Sequence, residues 1–156
     1  MTHVMLFNAV LVLACGYAFW VGGAPERWTA IVFAGAAAAT FIAPIYNTAH
    51  PFSRVEPMLL AVDLVMLGAL IAIALRADRF WPLYVSALHL ITIAVHGVKA
   101  FQPSLVPWMY AGASSKIAYP MLALLAIGAL RHRHRLARFG SDRDWSPLHT
   151  PECERP

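Results

Sequence analysis

Apolar residues run along this chain in five long blocks, separated by short polar or proline-marked stretches: 4–21, 28–43, 58–75, 80–101 and 107–130. A helix that crosses a bilayer needs about 20 mostly apolar residues, and a barrel strand only about 9–11. The blocks are therefore predicted as helices. Within lipid a chain satisfies its own backbone only as helices or as a closed barrel. The expected fold class is all-α, an integral membrane bundle of about five transmembrane helices. The fifth block holds Ser114, Ser115, Lys116 and Pro120, and its cleanly apolar part is only residues 121–130. A four-span chain with a re-entrant fifth segment is thus the alternative.

The breaks between blocks carry the usual punctuation. Gly22, Gly23 and Pro25 follow the first block, and Pro44 ends the second, since proline cannot continue the hydrogen-bond ladder. The linker Arg76-Ala77-Asp78-Arg79 is so short that the helices on either side must be antiparallel neighbours. A longer loop from Pro44 to Pro57 contains Tyr46, Asn47, His50, Arg54 and Glu56. The organisation expected is a helical bundle over residues 1–139 and a polar tail over 140–156. The tail is expected to be extended, and ordered only where a partner holds it. The stretch Val12-Leu13-Ala14-Cys15 resembles a lipoprotein cleavage site, but no Lys or Arg precedes the first block. A signal peptide needs that basic start, so the block is read as a retained span.

Composition strengthens the membrane reading. Of 156 residues, 60% are hydrophobic and 13% charged, against roughly 45–50% and about 25% in soluble domains. A protein this small cannot hide such an excess in one core. The net charge is +4, yet its placement points to lipid and not to nucleic acid. Arg131, Arg133, Arg135 and Arg138 follow the last apolar block, where basic residues set topology and touch anionic headgroups. No basic surface interleaved with aromatic residues accompanies them. Cys15 and Cys153 fall at different membrane levels, which argues against a disulfide between them.

The same charges orient the chain. With five spans, one side receives Arg27, Arg76, Arg79, Arg131, Arg133, Arg135 and Arg138, and the other only Arg54 and Lys99. Seven against two places the amino terminus outside and the carboxyl terminus in the cytoplasm. Trp20, Trp28, Phe80, Trp81, Trp108 and Tyr110 fall near the block ends, where an aromatic belt belongs.

Ionisable and polar residues inside a span are costly, so each is a candidate site. Here they are Asn8, Asp63, His89, His96 and Lys116. His89, Thr92, His96 and Lys99 recur at steps of three and four, so they share a face of the fourth helix. At about 1.5 Å per residue, Asp63, His96 and Lys116 lie at similar depths in the outer half of the bilayer. The expected constellation is an intramembrane polar cluster of Asp63, His96, Lys116, His89, Thr92 and Lys99, with Asp63 paired to His96 or Lys116. A pair of this kind avoids an isolated buried charge. The alternative is that these residues are only glue between helices, with Lys99 and Lys116 snorkelling to the headgroups.

No cofactor, metal site or catalytic residue is expected. His89 lies near the midplane and could ligate one haem or chlorophyll-type pigment axially. It cannot share an iron with His96, which is on the same face of the same helix about 10 Å away. In the run Arg131-His132-Arg133-His134-Arg135, residues two apart diverge on a helix, and the arginines repel a cation. There is no Gly-rich phosphate loop, GxSxG, HExxH or CxxC.

The stretch VEPMLLAVDLVMLGALIAIALRADRFWPLYVSALHL, with the later Tyr119-Pro120, resembles small multi-span inner-membrane proteins of alphaproteobacteria. The resemblance implies a bacterial inner-membrane location and no particular activity. Three readings follow. The chain is an accessory or assembly subunit of a larger inner-membrane complex, whose partners are lipids and other integral subunits. Or it is an independent membrane protein with a periplasm-facing polar pocket for protons, small solutes or lipid. Or it is a redox or pigment protein built on His89.

Overall fold

The computed structural model describes residues 2–42, 57–101 and 107–146. All regular structure there is helical: α1 (Thr2–Val21), α2 (Ala24–Ile42), α3 (Pro57–Arg76), α4 (Trp81–Phe101) and α5 (Pro107–Phe139). Prolines mark the starts. Pro25, Pro57, Pro82 and Pro107 each sit in the first turn of a helix. The missing N–H costs nothing there, because first-turn N–H groups have no intrahelical acceptor. Gly140 ends α5, with φ at 70° and its N–H returned to the Leu136 carbonyl at 2.9 Å. Glycine enters that left-handed region without a Cβ penalty.

Three of these helices are long and apolar enough to cross a membrane, over His3–Val21, Pro57–Arg76 and Trp81–Val98. All five close into a ring in sequence order: each helix packs on the next, and α5 packs back on α1. α2 also touches α5 across the ring. The core inside it is made of small and branched residues: Ala14, Ala18, Ala30, Phe33, Leu70, Val85, Met121, Leu122, Leu125 and Ala129. Large apolar side chains such as Val12, Leu13, Phe19, Val65, Leu75 and Tyr84 point outward. This is a bundle whose excess apolar surface faces its solvent. Hydroxyls within the helices are quenched locally. Thr29, Thr40 and Ser86 each donate to the carbonyl four residues back, at 2.8–2.9 Å.

Two expectations need correction. α2 starts at Ala24, four residues before the apolar block, because Ala24-Pro25-Glu26-Arg27 forms its first turns. That shift brings Glu26 into the bundle, where it is fully buried. The second concerns the tail. Its first part, residues 140–146, is docked on the bundle itself. Ala77 and Trp145 form an antiparallel bridge, and Ser146 N–H donates to the Arg76 carbonyl at 2.8 Å. Backbone pairing to the α3–α4 linker, together with the ion pairs described below, holds it. Glu56, His50, Arg54 and Cys153 lie outside the described residues.

Candidate functional site

The bundle carries two polar groups, one toward each end. The first was sought from the sequence. Asp63 is the seventh residue of α3, about 9 Å in from that helix's start. His89 and His96 face it from α4. His96 Nε2 lies 2.8 Å from Asp63 Oδ2, and His89 Nε2 donates to the Asp63 backbone carbonyl at 3.0 Å. The His89 nitrogen also stands 3.9 Å from Asp63 Oδ1. Both rings are buried, and the Asp63 side chain keeps 23% of its exposure. The short α3–α4 linker makes this meeting possible, since it holds the two helices side by side. Thr92, also buried, lies between the histidines on the same face of α4.

The structure does not bring all the sequence candidates together. Lys116 is exposed and forms no ion pair with Asp63 among the described residues, so it belongs to the surface of α5. The side chain of Lys99 lies outside the described ones. Asn8 is half-buried on α1, a helix that does not flank the α3–α4 pair. The nitrogen of His89 nearest the carboxylate is already engaged by the Asp63 carbonyl. Axial ligation of a haem or pigment through it would have to break that bond.

The second group was not foreseen as a site. It sits at the other end, where the α1–α2 turn, the α3–α4 linker, α5 and the tail converge. Arg79 is its centre, with a side chain only 2% exposed. Nη1 donates to Glu26 Oε1, which also accepts from the Trp81 indole at 3.2 Å. Nη2 donates to Asp142 Oδ2 at 2.7 Å and to the Arg143 carbonyl at 3.1 Å. It stands 3.4 Å from Asp144 Oδ1. His132 Nδ1 is 2.5 Å from the same Asp142 oxygen and 3.0 Å from Arg79 Nη2. The carboxylate is the closer partner and Arg79 has no lone pair to offer, so the proton is assigned to Nδ1, donating to Asp142. Arg135 Nε lies 2.9 Å from Asp142 Oδ1, as an ion pair without the alignment of a hydrogen bond.

Burial pushes the Asp142 carboxyl up, but the hydrogen bond from His132 and the charges of Arg79 and Arg135 outweigh it and hold the carboxyl below its ordinary value. Glu26, in the first turn of α2, gains further from the positive end of that helix. Glu26 Oε2 and Arg79 Nε are buried without a hydrogen-bond partner among the described residues. Glycines create the room. A Cβ at Gly128 would stand 2.8 Å from the Trp81 ring, and one at Gly23 would stand 2.1 Å from Asp144 Oδ1.

Glu26, His132 and Asp144 offer donor atoms within 4.8 Å of one another, as a metal site would. The Arg79 guanidinium contacts all three residues and already supplies the positive charge. The group is therefore an arginine-centred ion cluster. Of the basic run, Arg131, Arg133 and Arg138 are exposed, as headgroup contacts must be, while Arg135 is partly committed to Asp142. His132, discounted with its neighbours in the sequence, is buried at the centre of the cluster.

The chain matches no protein-family model, no curated protein and no solved structure. Its function must be argued from its own two polar groups.

Proposed function

We propose that the chain is a five-span protein of a bacterial inner membrane, with its amino terminus outside and its carboxyl tail in the cytoplasm, and that its outer-half Asp63–His96–His89 group handles protons. The observation that carries the reading is the 2.8 Å contact between a partly open carboxylate and a buried histidine. Three apolar helices frame the bundle, and both other helices complete the same ring. An intramembrane carboxylate beside two histidines is the chemistry of proton relays. Asp63 takes a proton from the outer side, and His96 shares it across a hydrogen bond.

Purified protein in liposomes, with a pH-sensitive dye inside and an imposed potential, tests this. Proton flux above that of empty liposomes is expected, and Asp63→Asn should abolish it. Flux equal to empty liposomes, or unchanged in Asp63→Asn, would remove the reading. Orientation is tested separately: a cytoplasm-active reporter fused after Pro156 should be active and a periplasm-active one silent.

A second reading, an accessory subunit within a larger membrane complex, has one observation in its favour. A Cβ added at Gly16, Gly35, Gly68 or Gly97 would meet nothing within 4 Å. Small residues allow close helix approach in membranes, and these faces are open to a further integral subunit. Copurification in mild detergent of a stoichiometric membrane protein, lost on Gly35→Leu or Gly68→Leu, supports it.

A further inference from the structure

Beside the Arg79 cluster, and sharing its His132 and Asp144, lies a pocket of about 460 Å³. Its lining combines apolar Phe19, Trp28 and Ile31 with Gly22, Gly23, Arg27, His132 and Asp144. The first three are outward-facing and apolar, exposed by 54%, 55% and 47%. Phe19 and Trp28 sit near the facing ends of α1 and α2, and Ile31 two turns into α2, beside the membrane–water boundary of the proposed bundle. The lining thus combines apolar side chains with a charged recess.

The recess has both signs of charge. Arg27 spends only its Nε, donating to the Gly22 carbonyl at 3.1 Å, and its two terminal nitrogens carry no bond among the described residues. Those nitrogens suit a phosphate. Asp144 lies against Gly23, where a Cβ would stand 2.1 Å from its Oδ1. Its Oδ1 stands 3.4 Å from Arg79, and its side chain is 36% exposed, leaving Oδ2 without a partner among the described residues. A purely anionic headgroup would meet that carboxylate uncompensated. A group with a phosphate and an adjacent N–H-bearing cation satisfies both Arg27 and Asp144.

We propose that this pocket is the headgroup site of a phospholipid carrying a primary ammonium, with its phosphate on Arg27 and its ammonium on Asp144. The inference rests on the membrane reading above but not on the proton-handling one. It names a different place from the exposed arginines of α5, which attract anionic lipid without shape. Gly23 is essential to it, because only a residue without Cβ lets the α1–α2 turn approach Asp144 so closely.

The test is native mass spectrometry of the whole protein, released from nanodiscs made of equal parts phosphatidylethanolamine, phosphatidylcholine and phosphatidylglycerol. One phosphatidylethanolamine should be retained about tenfold over either competitor, the scale of one charge-assisted hydrogen bond. Asp144→Asn should lower that retention to the phosphatidylcholine level. Arg27→Gln, a change outside the Arg79 cluster, should lower retention of every phospholipid in a protein that still folds. Equal retention of the three lipids, or a preference that survives Asp144→Asn, would overturn the proposal. If Asp144→Asn does not fold, the wild-type ratio and Arg27→Gln decide alone. Free phosphoethanolamine in tenfold excess should not displace the lipid, and displacement would assign the pocket to a soluble phosphate ester instead. Alkaline carbonate extraction of the protein from membranes would sink the membrane reading itself. Carbonate resistance without headgroup preference would sink only the site.

Discussion

The two polar groups of this bundle solve the same problem in opposite ways. At the Arg79 end, groups from the α1–α2 turn, the α3–α4 linker, α5 and the tail meet in one place. Three carboxylates, Glu26, Asp142 and Asp144, face two guanidiniums, Arg79 and Arg135, with His132 between them. At the Asp63 end one carboxylate meets two histidines, all within a single helix hairpin. The buried pair at the first end is 2% and 0% exposed, while Asp63 keeps 23%. A network with a buried centre fixes how distant parts of the chain assemble. A smaller, partly open one leaves a group free to exchange a proton.

The largest difference should appear when each centre is removed. Arg79→Met leaves Glu26 buried and uncompensated, a change that typically costs about 3–5 kcal/mol. Its denaturation midpoint in detergent should fall furthest of any single variant described here, and the tail should become protease-sensitive. Adding Glu26→Gln should recover part of the loss, because the stranded charge goes with it. A mild effect of Arg79→Met, or no recovery in the double variant, would mean that the cluster is not what ties the tail to the bundle.

Asp63→Ala should destabilise less, since its site is partly open and its partners are neutral when unprotonated. The informative measurement is the cycle with His96→Ala. Groups in direct contact couple by roughly 0.5–3 kcal/mol, so the double variant should be less unstable than the sum of the single ones. Strict additivity would show that the 2.8 Å contact carries no energy. Crossing Asp63→Ala with Lys116→Ala should be additive, because the structure separates them.

How much of this was legible beforehand differs between the two ends for physical reasons. Helix number and order follow from apolar blocks that only helices can carry through lipid. The Asp63 group follows from i, i+3 and i+7 spacing on one helix and a linker too short to separate two helices. Of the two partners offered for Asp63 the structure shows His96, while Lys116 is exposed on α5, because depth alone does not fix rotation about a helix axis. The Arg79 cluster was hidden because its members come from segments that each had a simpler explanation. Gly22, Gly23 and Pro25 read as a loop, yet Pro25 is a favoured first-turn residue that starts α2 early and carries Glu26 inside. Arg79 was counted as a topology charge, His132 as part of a basic run, and Asp142 and Asp144 as tail. One signal was present. On the expected five-span topology Glu26, Asp78, Asp142, Asp144, Glu152 and Glu154 fall on the arginine-rich side, where topology does not require acidic residues. Six carboxylates gathered there call for cationic partners.

The tail contact should also report pH. The Asp142 carboxyl is held below its ordinary value of 3.8. A depressed carboxyl stabilises the folded state above its unfolded value, and that contribution is lost as pH falls through the folded value. Docking of residues 140–146 should therefore be steady from neutral pH down to about 4 and weaken only below 3.8. Trp145, half-exposed on the α3–α4 linker, is a natural fluorescence probe for it. In Asp142→Asn the acid-induced change should shrink. Release of the tail already near pH 6 would show that Asp142 is not the controlling group.

The smallest effect is expected at the edge of the same cluster. Arg135 is 36% exposed, and its Nε meets Asp142 Oδ1 at 2.9 Å without good alignment. A pair with one partly exposed partner approaches the about 0–1 kcal/mol of surface ion pairs, and salt screens it more than the buried Arg79 pair. Arg135→Gln should thus shift the denaturation midpoint slightly, and less still in high salt, while Arg79→Met keeps its effect in both. The acid transition of the tail should move up a little in Arg135→Gln, since one of the cations that depress the Asp142 carboxyl is gone. If Arg135→Gln proved as damaging as Arg79→Met, the contrast between a buried centre and a solvated rim would fail. The cluster would then have to be redrawn around Asp142, with both guanidiniums as equal partners.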